Sequence, residues 1–247
     1  MPLPRPGYID PAVADPNLAF TWDEWKVRSF YKPADEKLVE RLSHVTQRAR
    51  VALTIAEAEW IVYRFEGIAK DPVPLQLIEA FWAANIDLRY GNYWEPVDDE
   101  WRGPVRGPLS VALLITCDAL FCTSQSENWA ENPSWMSKLA EHLLPPAFLP
   151  VFVKWRETVL QRLEKFYSAS AAPEPDLWDE VDSWGPYVPR ELFDPEFDFH
   201  PDMTETLITN FLIGLNPATN PYLNSPHDML ELGFPGVPYS LWAKPPE

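Results

Sequence analysis

Glycine is scarce in this sequence, and its scarcity limits both the fold and the kinds of ligand site. The 247 residues include nine glycines and twenty-eight prolines, a balance that favours helices joined by stiff connections over a glycine-punctuated sheet. No Walker-type or GxGxxG loop, which would hold nucleotide phosphates against backbone N–H groups, is present. We therefore expect little strand and no nucleotide-binding loop of these types.

Basic residues are also few. The chain has 20 Lys and Arg against 37 Asp and Glu, which gives a formal net charge of −17. Residues 1–70 are balanced, with ten bases and ten acids, whereas residues 171–247 contain two bases and fourteen acids. Phosphate binding depends on clustered Lys and Arg, so no nucleic acid and no membrane is expected as a partner. A basic protein is the natural complement of this charge.

Cysteine occurs twice, as Cys117 and Cys122. Five residues apart on a helix, the two side chains would point about 140° apart, which disfavours a disulfide bond or a shared metal ion. Two buried free cysteines are expected.

Long apolar runs are missing as well. The first seven residues contain prolines where a secretory signal has its apolar segment. No later segment reaches the roughly 18 uninterrupted apolar residues of a membrane helix. The protein is expected to be soluble and cytoplasmic.

Sequence signatures of catalysis and metal binding are not found. The HExxH, paired-cysteine and GxSxG patterns are absent. Glu36, Glu40 and His44 follow a spacing that places them on one helical face, but an exposed ion-pair row that continues to Arg48 explains it better than a metal site, which would need a second such helix. No catalytic residue, metal ligand or cofactor is therefore predicted.

Asp118 is the residue that supports an enzyme as an alternative function. It is a lone acid in the apolar segment 109–122, and a buried carboxylate is costly unless it is paired. We expect Asp118 to be buried and tied to backbone N–H groups or to an arginine, for which Arg89, Arg102 and Arg106 are candidates.

The spacing of apolar residues predicts an all-α fold. Residues 1–247 are expected to form a single irregular helical-bundle domain with long proline-rich loops. Its helical body is 1–170, and the acidic, proline-rich part 171–247 is expected to wrap irregularly around that body. Capping-box patterns at Thr21/Glu24 and Thr54/Glu57 predict helix starts. The predicted helices are 22–31, a helix from after Pro33 to near Leu53, 55–66, 74–87, 109–122, 135–144, 148–166 and 204–215.

Acidic and aromatic residues are interleaved in two loops. The stretch 174–205 has eleven acids, one base and six aromatic residues, and 90–101 has a similar composition. Rings beside carboxylates can contact Lys and Arg through ion pairs and cation–π interactions. The predicted partner-binding residues are Trp178, Asp179, Glu180, Asp182, Trp184, Glu196, Phe197 and Asp198, with Trp94, Asp98, Asp99 and Glu100 in the second loop.

These observations favour a binding protein. The main hypothesis is an acidic cytoplasmic protein that neutralises a basic protein partner, most concretely an immunity protein that occludes the active site of a bacterial toxin such as a nuclease. One alternative is an all-α enzyme with a dispersed site in which Asp118 meets a histidine or a carboxylate. Another is a helical scaffold whose acidic surface only maintains solubility.

Overall fold

The computed structural model describes residues 3–97, 100–122, 130–169 and 184–241, which form an all-α single domain. Helices account for 57% of these residues, and no strand or sheet occurs among them. The predicted all-α class is therefore confirmed. The α-helices of the described residues are α1 (Glu36–Ser43), α2 (Gln47–Arg64), α3 (Val73–Ala84), α4 (Gly103–Phe121), α5 (Glu131–Leu143), α6 (Leu149–Phe166), α7 (Thr204–Gly214) and α8 (Pro226–Glu231).

Helix α2 lies at the centre of the domain. Every residue of this helix except Arg50 is buried, because α3, α4 and α5 pack around it. Its Trp60 also contacts Phe152 and Trp155 of α6, with ring centroids 5.5 and 5.6 Å apart. The central helix of the described residues is thus α2.

Helix α4 also belongs to the core. By length and composition alone its 19 residues could cross a membrane. Within the domain, however, α4 packs against α2, α3 and α5, and 61% of its most apolar window is buried inside the protein. The core helix of a soluble protein meets the same length and composition test, so this helix is weak evidence for a membrane span.

The boundary between the first two α-helices differs from the prediction. The chain leaves the helix after Ser43 and resumes it at Gln47, whereas a break near Leu53 was expected. At the actual break the Thr46 N–H donates to the Tyr167 carbonyl oxygen over 2.9 Å. This connection is set by the end of α6, a contact distant in sequence that local patterns do not reveal.

Three further boundaries were also predicted incorrectly. The expected 22–31 helix is reduced to a short 3₁₀ helix, Val27–Phe30. The helix expected at 109–122 begins earlier, because α4 starts at Gly103 and contains Pro108. The chain after Leu215, expected to be irregular, includes α8, which starts with a reciprocal capping box between Ser225 and Asp228.

A buried polar cluster joins the N-terminal segment, α2, α3 and the C-terminal part of the chain. The fully buried Glu59 carboxylate accepts hydrogen bonds from Tyr8 Oη (3.2 Å), Trp82 Nε1 (3.1 Å) and Arg190 Nε (2.8 Å). Burial, followed by the Glu59 carboxylate, raises the pKa of Tyr8 well above its ordinary value, so this phenol remains a donor. Four distant parts of the sequence are thereby held together.

The C-terminal part packs on α3. Ile208 and Leu212 of α7, together with Leu223 and Met229, form a second apolar cluster with Tyr90 and other residues that follow or belong to α3. The Asn224 N–H donates to the Tyr90 carbonyl oxygen over 2.8 Å. These contacts attach α7 to the body of the domain and leave its other side exposed at the surface.

Candidate functional site

The described C-terminal residues carry a strong excess of negative charge. Residues 184–241 contain eight acids and Arg190 as their one base. The guanidinium of Arg190 is turned inward, with its Nη2 2.8 Å from Glu59 Oε1 and only 15% of its side chain exposed. Arg190 is therefore neutralised inside the domain and does not offset the acids at the surface.

Four of these acids form what we call the acidic edge: Glu196, Asp198, Asp202 and Glu205. All four are exposed, and the described part of the chain provides no Lys or Arg within ion-pair distance of them. His200 Nε2 lies 3.7 Å from Asp198 Oδ1. The acidic edge thus presents uncompensated carboxylates to solvent.

Arg162 of α6 supports one end of the acidic edge. Its Nη1 donates to the carbonyl oxygens of Leu192 (2.9 Å) and Asp194 (2.6 Å), and its Nη2 donates to those of Pro195 and Phe197 (both 2.9 Å). A backbone outside regular secondary structure must satisfy its carbonyl groups elsewhere, and charged donors do so strongly. One side chain therefore fixes the course of the chain that carries Glu196 and Asp198.

The aromatic residues near the acidic edge face mainly inward. Trp184 is 4% exposed and lies in the hydrophobic core, and Phe193 and Phe199 are also buried. Phe197 is half-buried and packs against the core. The expectation of Trp184 as an exposed partner contact is thereby corrected, because this large apolar ring is removed from water within the domain itself.

The second predicted loop is attached to α4. The Trp94 N–H donates to Cys117 Sγ over 3.2 Å, and the half-buried Trp94 ring packs edge to face on Trp101, with centroids 5.0 Å apart. Glu100 is exposed, and its carbonyl oxygen accepts from Arg106 Nη1 over 3.0 Å. The two acidic segments are thus held by different helices, this one by α4 and the acidic edge by α6.

The remaining predicted contact residues lie outside the described residues. They are Asp98 and Asp99 of the second loop, and Trp178, Asp179, Glu180 and Asp182 of the first.

Asp118 is exposed, so the expectation that it is buried and paired with an arginine is wrong. Its Oδ1 accepts a hydrogen bond from Tyr93 Oη over 3.1 Å. Arg89 and Arg106 pair instead with Asp87 and Asp71. Although α4 is packed on most sides, position 118 falls on its solvent-facing side, which a nearly all-apolar pattern does not identify.

Replacing Asp118 by Asn should therefore change stability little. An exposed carboxylate that accepts from one phenol and one thiol makes a small net contribution, so we expect the free energy of unfolding to change by less than about 0.5 kcal/mol. Urea denaturation measures this change. A loss of several kcal/mol would show that the carboxylate is buried after all.

Among the described residues no histidine lies within hydrogen-bond distance of Asp118, whereas the Cys122 thiol donates to Asp118 Oδ1 over 3.7 Å. His142 Nε2 lies 2.9 Å from the Thr21 carbonyl oxygen, and its ring stacks on Phe30 at a centroid distance of 4.4 Å. Cys117 is buried as expected, whereas Cys122 is only half-buried; both are free thiols. Burial, the largest cause, raises the pKa of Cys117 to about 12, which keeps it a thiol.

The predicted ion-pair row on the first helix is also interrupted. Glu36, Glu40 and His44 are exposed, but Arg48 belongs to α2 and is buried, where its Nε donates to the Gly185 carbonyl oxygen over 3.0 Å. Within the described ranges, no group of three or more His, Cys, Asp or Glu residues could hold a metal ion.

Comparison with protein-family models, with curated proteins and with solved structures finds no match for this chain.

Proposed function

We propose that this chain is an acidic binding protein that neutralises a basic protein partner, as an immunity protein does when it covers the active site of a toxin such as a nuclease. The observation that carries the proposal is the acidic edge, whose four carboxylates are exposed and lack Lys or Arg partners among the described residues. The only base in residues 184–241, Arg190, is withdrawn into a buried pair with Glu59.

The chemistry of nucleic-acid-cleaving toxins supports this choice of partner. Enzymes that act on nucleic acid bind phosphate groups with clustered Lys and Arg. A surface of unpaired carboxylates is complementary to such a cluster, and complementary charge speeds association and disfavours wrongly charged partners. The acidic edge would therefore occupy the substrate surface of a cationic enzyme.

The support that Arg162 provides is also consistent with binding. Ordering a loop on association costs free energy, and a surface that is already ordered avoids this cost. Four hydrogen bonds from one guanidinium hold the backbone between Leu192 and Phe197. Glu196 and Asp198 are thus presented from a fixed chain.

The test begins with the partner captured on the tagged protein from its native host at low ionic strength and identified by mass spectrometry. Association of the purified partner is then measured by surface plasmon resonance at two salt concentrations. The variant Glu196→Gln/Asp198→Asn should associate about threefold to tenfold more slowly than the wild type at low salt, because steering is weakened, and less so at high salt.

A matched control removes two exposed acids from α1 instead. The variant Glu36→Gln/Glu40→Gln changes the net charge equally, so a general charge effect would slow both variants alike. If the two variants lose association rate equally, or neither does, the acidic edge is not the contact surface. A captured partner that is acidic, or whose activity on nucleic acid is unaffected by the bound protein, would also contradict the proposal.

A further inference from the structure

A groove of about 590 Å³ runs between residues 24–31 and α4. Its α4 wall is formed by Val111, Leu114 and Ile115, and ends at Asp118. Val111 and Leu114 remain partly accessible although α4 is otherwise packed in the core. The groove therefore exposes an apolar wall of a core helix.

Trp25 stands at this groove with 96% of its surface exposed. Tryptophan is usually well buried, because its ring has a large apolar area. Exposed tryptophans beside apolar grooves are typical of the residues that dominate protein interfaces. Nothing among the described residues covers this ring, so the domain leaves both a projecting indole and an apolar wall accessible.

Charges of opposite sign line the same groove. Arg28 is exposed and forms no ion pair with the described residues, and Asp118 on α4 is exposed with Tyr93 as its hydrogen-bond donor. Tyr31 lines the groove as well; burial raises its pKa, while Arg28 lowers it and Asp118 raises it. One surface thus offers an indole, an apolar wall, a base and an acid.

We propose that this groove is the interface between two copies of the chain, related by a two-fold axis. In such an interface the same patch occurs on both sides, so each contact is made twice with the roles exchanged. Trp25 of each copy packs against the α4 wall of the other, and Arg28 of each copy pairs with Asp118 of the other. The groove contains the four partners that this symmetry requires, and Glu24 and Lys26 line it as well.

The charge distribution favours a second copy over other occupants. Two chains of formal charge −17 repel, but the charged residues that line the groove are two acids, Glu24 and Asp118, and two bases, Lys26 and Arg28. The groove therefore has no net formal charge, and two copies can approach there without the repulsion that the acidic parts of the chain would cause. A strongly basic partner would meet Lys26 and Arg28 in the same groove, and a strongly acidic one would meet Asp118. The inference is independent of the proposed function, since it uses none of the acidic edge.

Sedimentation velocity over a range of protein concentrations tests the proposal. The wild type should show a concentration-dependent monomer–dimer equilibrium, and Trp25→Ala should weaken the dimer about tenfold or more, as expected for an anchoring residue. The single variants Arg28→Asp and Asp118→Arg should each remain monomeric, because each places like charges opposite one another twice.

An equimolar mixture of the two charge variants gives the sharper result. One variant then carries two acids and the other two bases at these positions, so their heterodimer regains both ion pairs and should form in the mixture. Lys37→Asp reverses an exposed base on α1 and should dimerise almost as the wild type does. Circular dichroism confirms that each variant is folded.

Three results would each overturn the proposal. The wild type could remain monomeric at every concentration, the dimer could persist unchanged in Trp25→Ala and in both charge variants, or the mixed charge variants could fail to associate.

Discussion

Replacing Glu57 by Gln should stabilise the folded protein at neutral pH and remove part of its pH dependence. Glu57 is fully buried in α2, and burial raises its pKa from 4.5 to about 8, although Arg156 and the Ser137 hydroxyl act to lower it. Ser137 Oγ donates to Glu57 Oε1, whereas Glu57 Oε2 has no partner among the described residues. The folded domain thus favours the protonated, uncharged carboxyl.

The sign of the pH effect follows from the raised pKa. In the unfolded chain the carboxyl loses its proton near pH 4.5, whereas the folded protein retains it to about pH 8. Between these values unfolding releases a proton, so stability falls as pH rises and levels off above the folded pKa. A tenfold change in a proton-binding constant corresponds to about 1.4 kcal/mol. The raised pKa of Glu57 therefore lowers the free energy of unfolding by about 3 kcal/mol at pH 7.

Urea denaturation of the wild type and of Glu57→Gln from about pH 5 to about pH 9 tests the prediction, because Glu57 of the folded protein loses its proton within that range. The amide preserves an acceptor for Ser137, so the stability advantage of Glu57→Gln should grow from pH 5 to about 3 kcal/mol at pH 7 and further by pH 9. The control Glu40→Gln changes an exposed carboxyl on α1 and should shift stability by less than about 0.5 kcal/mol. An advantage of Glu57→Gln that is equal at all pH values would refute a raised pKa as its cause.

Glu57 also shows where local sequence patterns fail. With Thr54 it forms a capping-box pattern, and this pattern predicted a helix start. In the structure Thr54 Oγ1 donates to the Arg50 carbonyl oxygen over 3.1 Å, within a continuous α2. No helix cap forms at Thr54, because Glu57 faces Ser137 of α5 and not the N-terminal end of its own helix. Burial on all sides stabilises the continuous helix instead.

Periodicity predicted the helices that have one apolar face. Helix α6 extends over 149–166 with Phe152, Trp155 and Val159 buried, close to the expected 148–166, and α7 agrees equally well with its predicted span. In such helices the spacing of the apolar residues indicates which face is buried. The pattern is less informative for α4, which is apolar nearly all round, and there the direction of Asp118 was wrong.

The acidic character of the candidate site was predicted from composition, but its support was not. Glu196 and Asp198 were predicted from the sequence as contact residues, and both are exposed in the structure. Arg162 holds the backbone at one end of the acidic edge, about 30 positions away in sequence. Arg190, the only base of residues 184–241, is drawn inward by Glu59, about 130 positions away. One usable signal was present: Glu57 and Glu59 are charges within an otherwise apolar helical run, and such charges need partners when they are buried.

Removing the guanidinium of Arg190 should cause a large loss of stability. Its Nε and Nη2 are both 2.8 Å from the fully buried Glu59 Oε1, and Nη2 also donates to the Pro4 carbonyl oxygen over 2.9 Å. In Arg190→Ala the Glu59 carboxylate keeps Tyr8 and Trp82 as its donors among the described residues and loses its counter-charge. Breaking a buried pair in this way costs about 3–5 kcal/mol, which chemical denaturation at pH 7 measures.

The double variant Glu59→Gln/Arg190→Met distinguishes a stranded charge from lost packing. Methionine retains part of the apolar stem, and the amide leaves no buried charge, so the double variant should be more stable than Arg190→Ala. Its loss should also be smaller, by about 1 kcal/mol or more, than the summed losses of Glu59→Gln and Arg190→Met measured as single variants.

Arg41→Ala provides the matched control for solvent exposure. Arg41 bonds to two carboxylates, Glu157 and Glu164, at 2.7 Å, but these side chains are a third to a half exposed. Exposed ion pairs contribute about 0–1 kcal/mol, so Arg41→Ala should cost far less than Arg190→Ala. Equal losses in the two alanine variants would mean that the cost comes from removing an arginine side chain and not from leaving Glu59 charged and buried. The buried pair would then have no special role in anchoring the C-terminal part to α2.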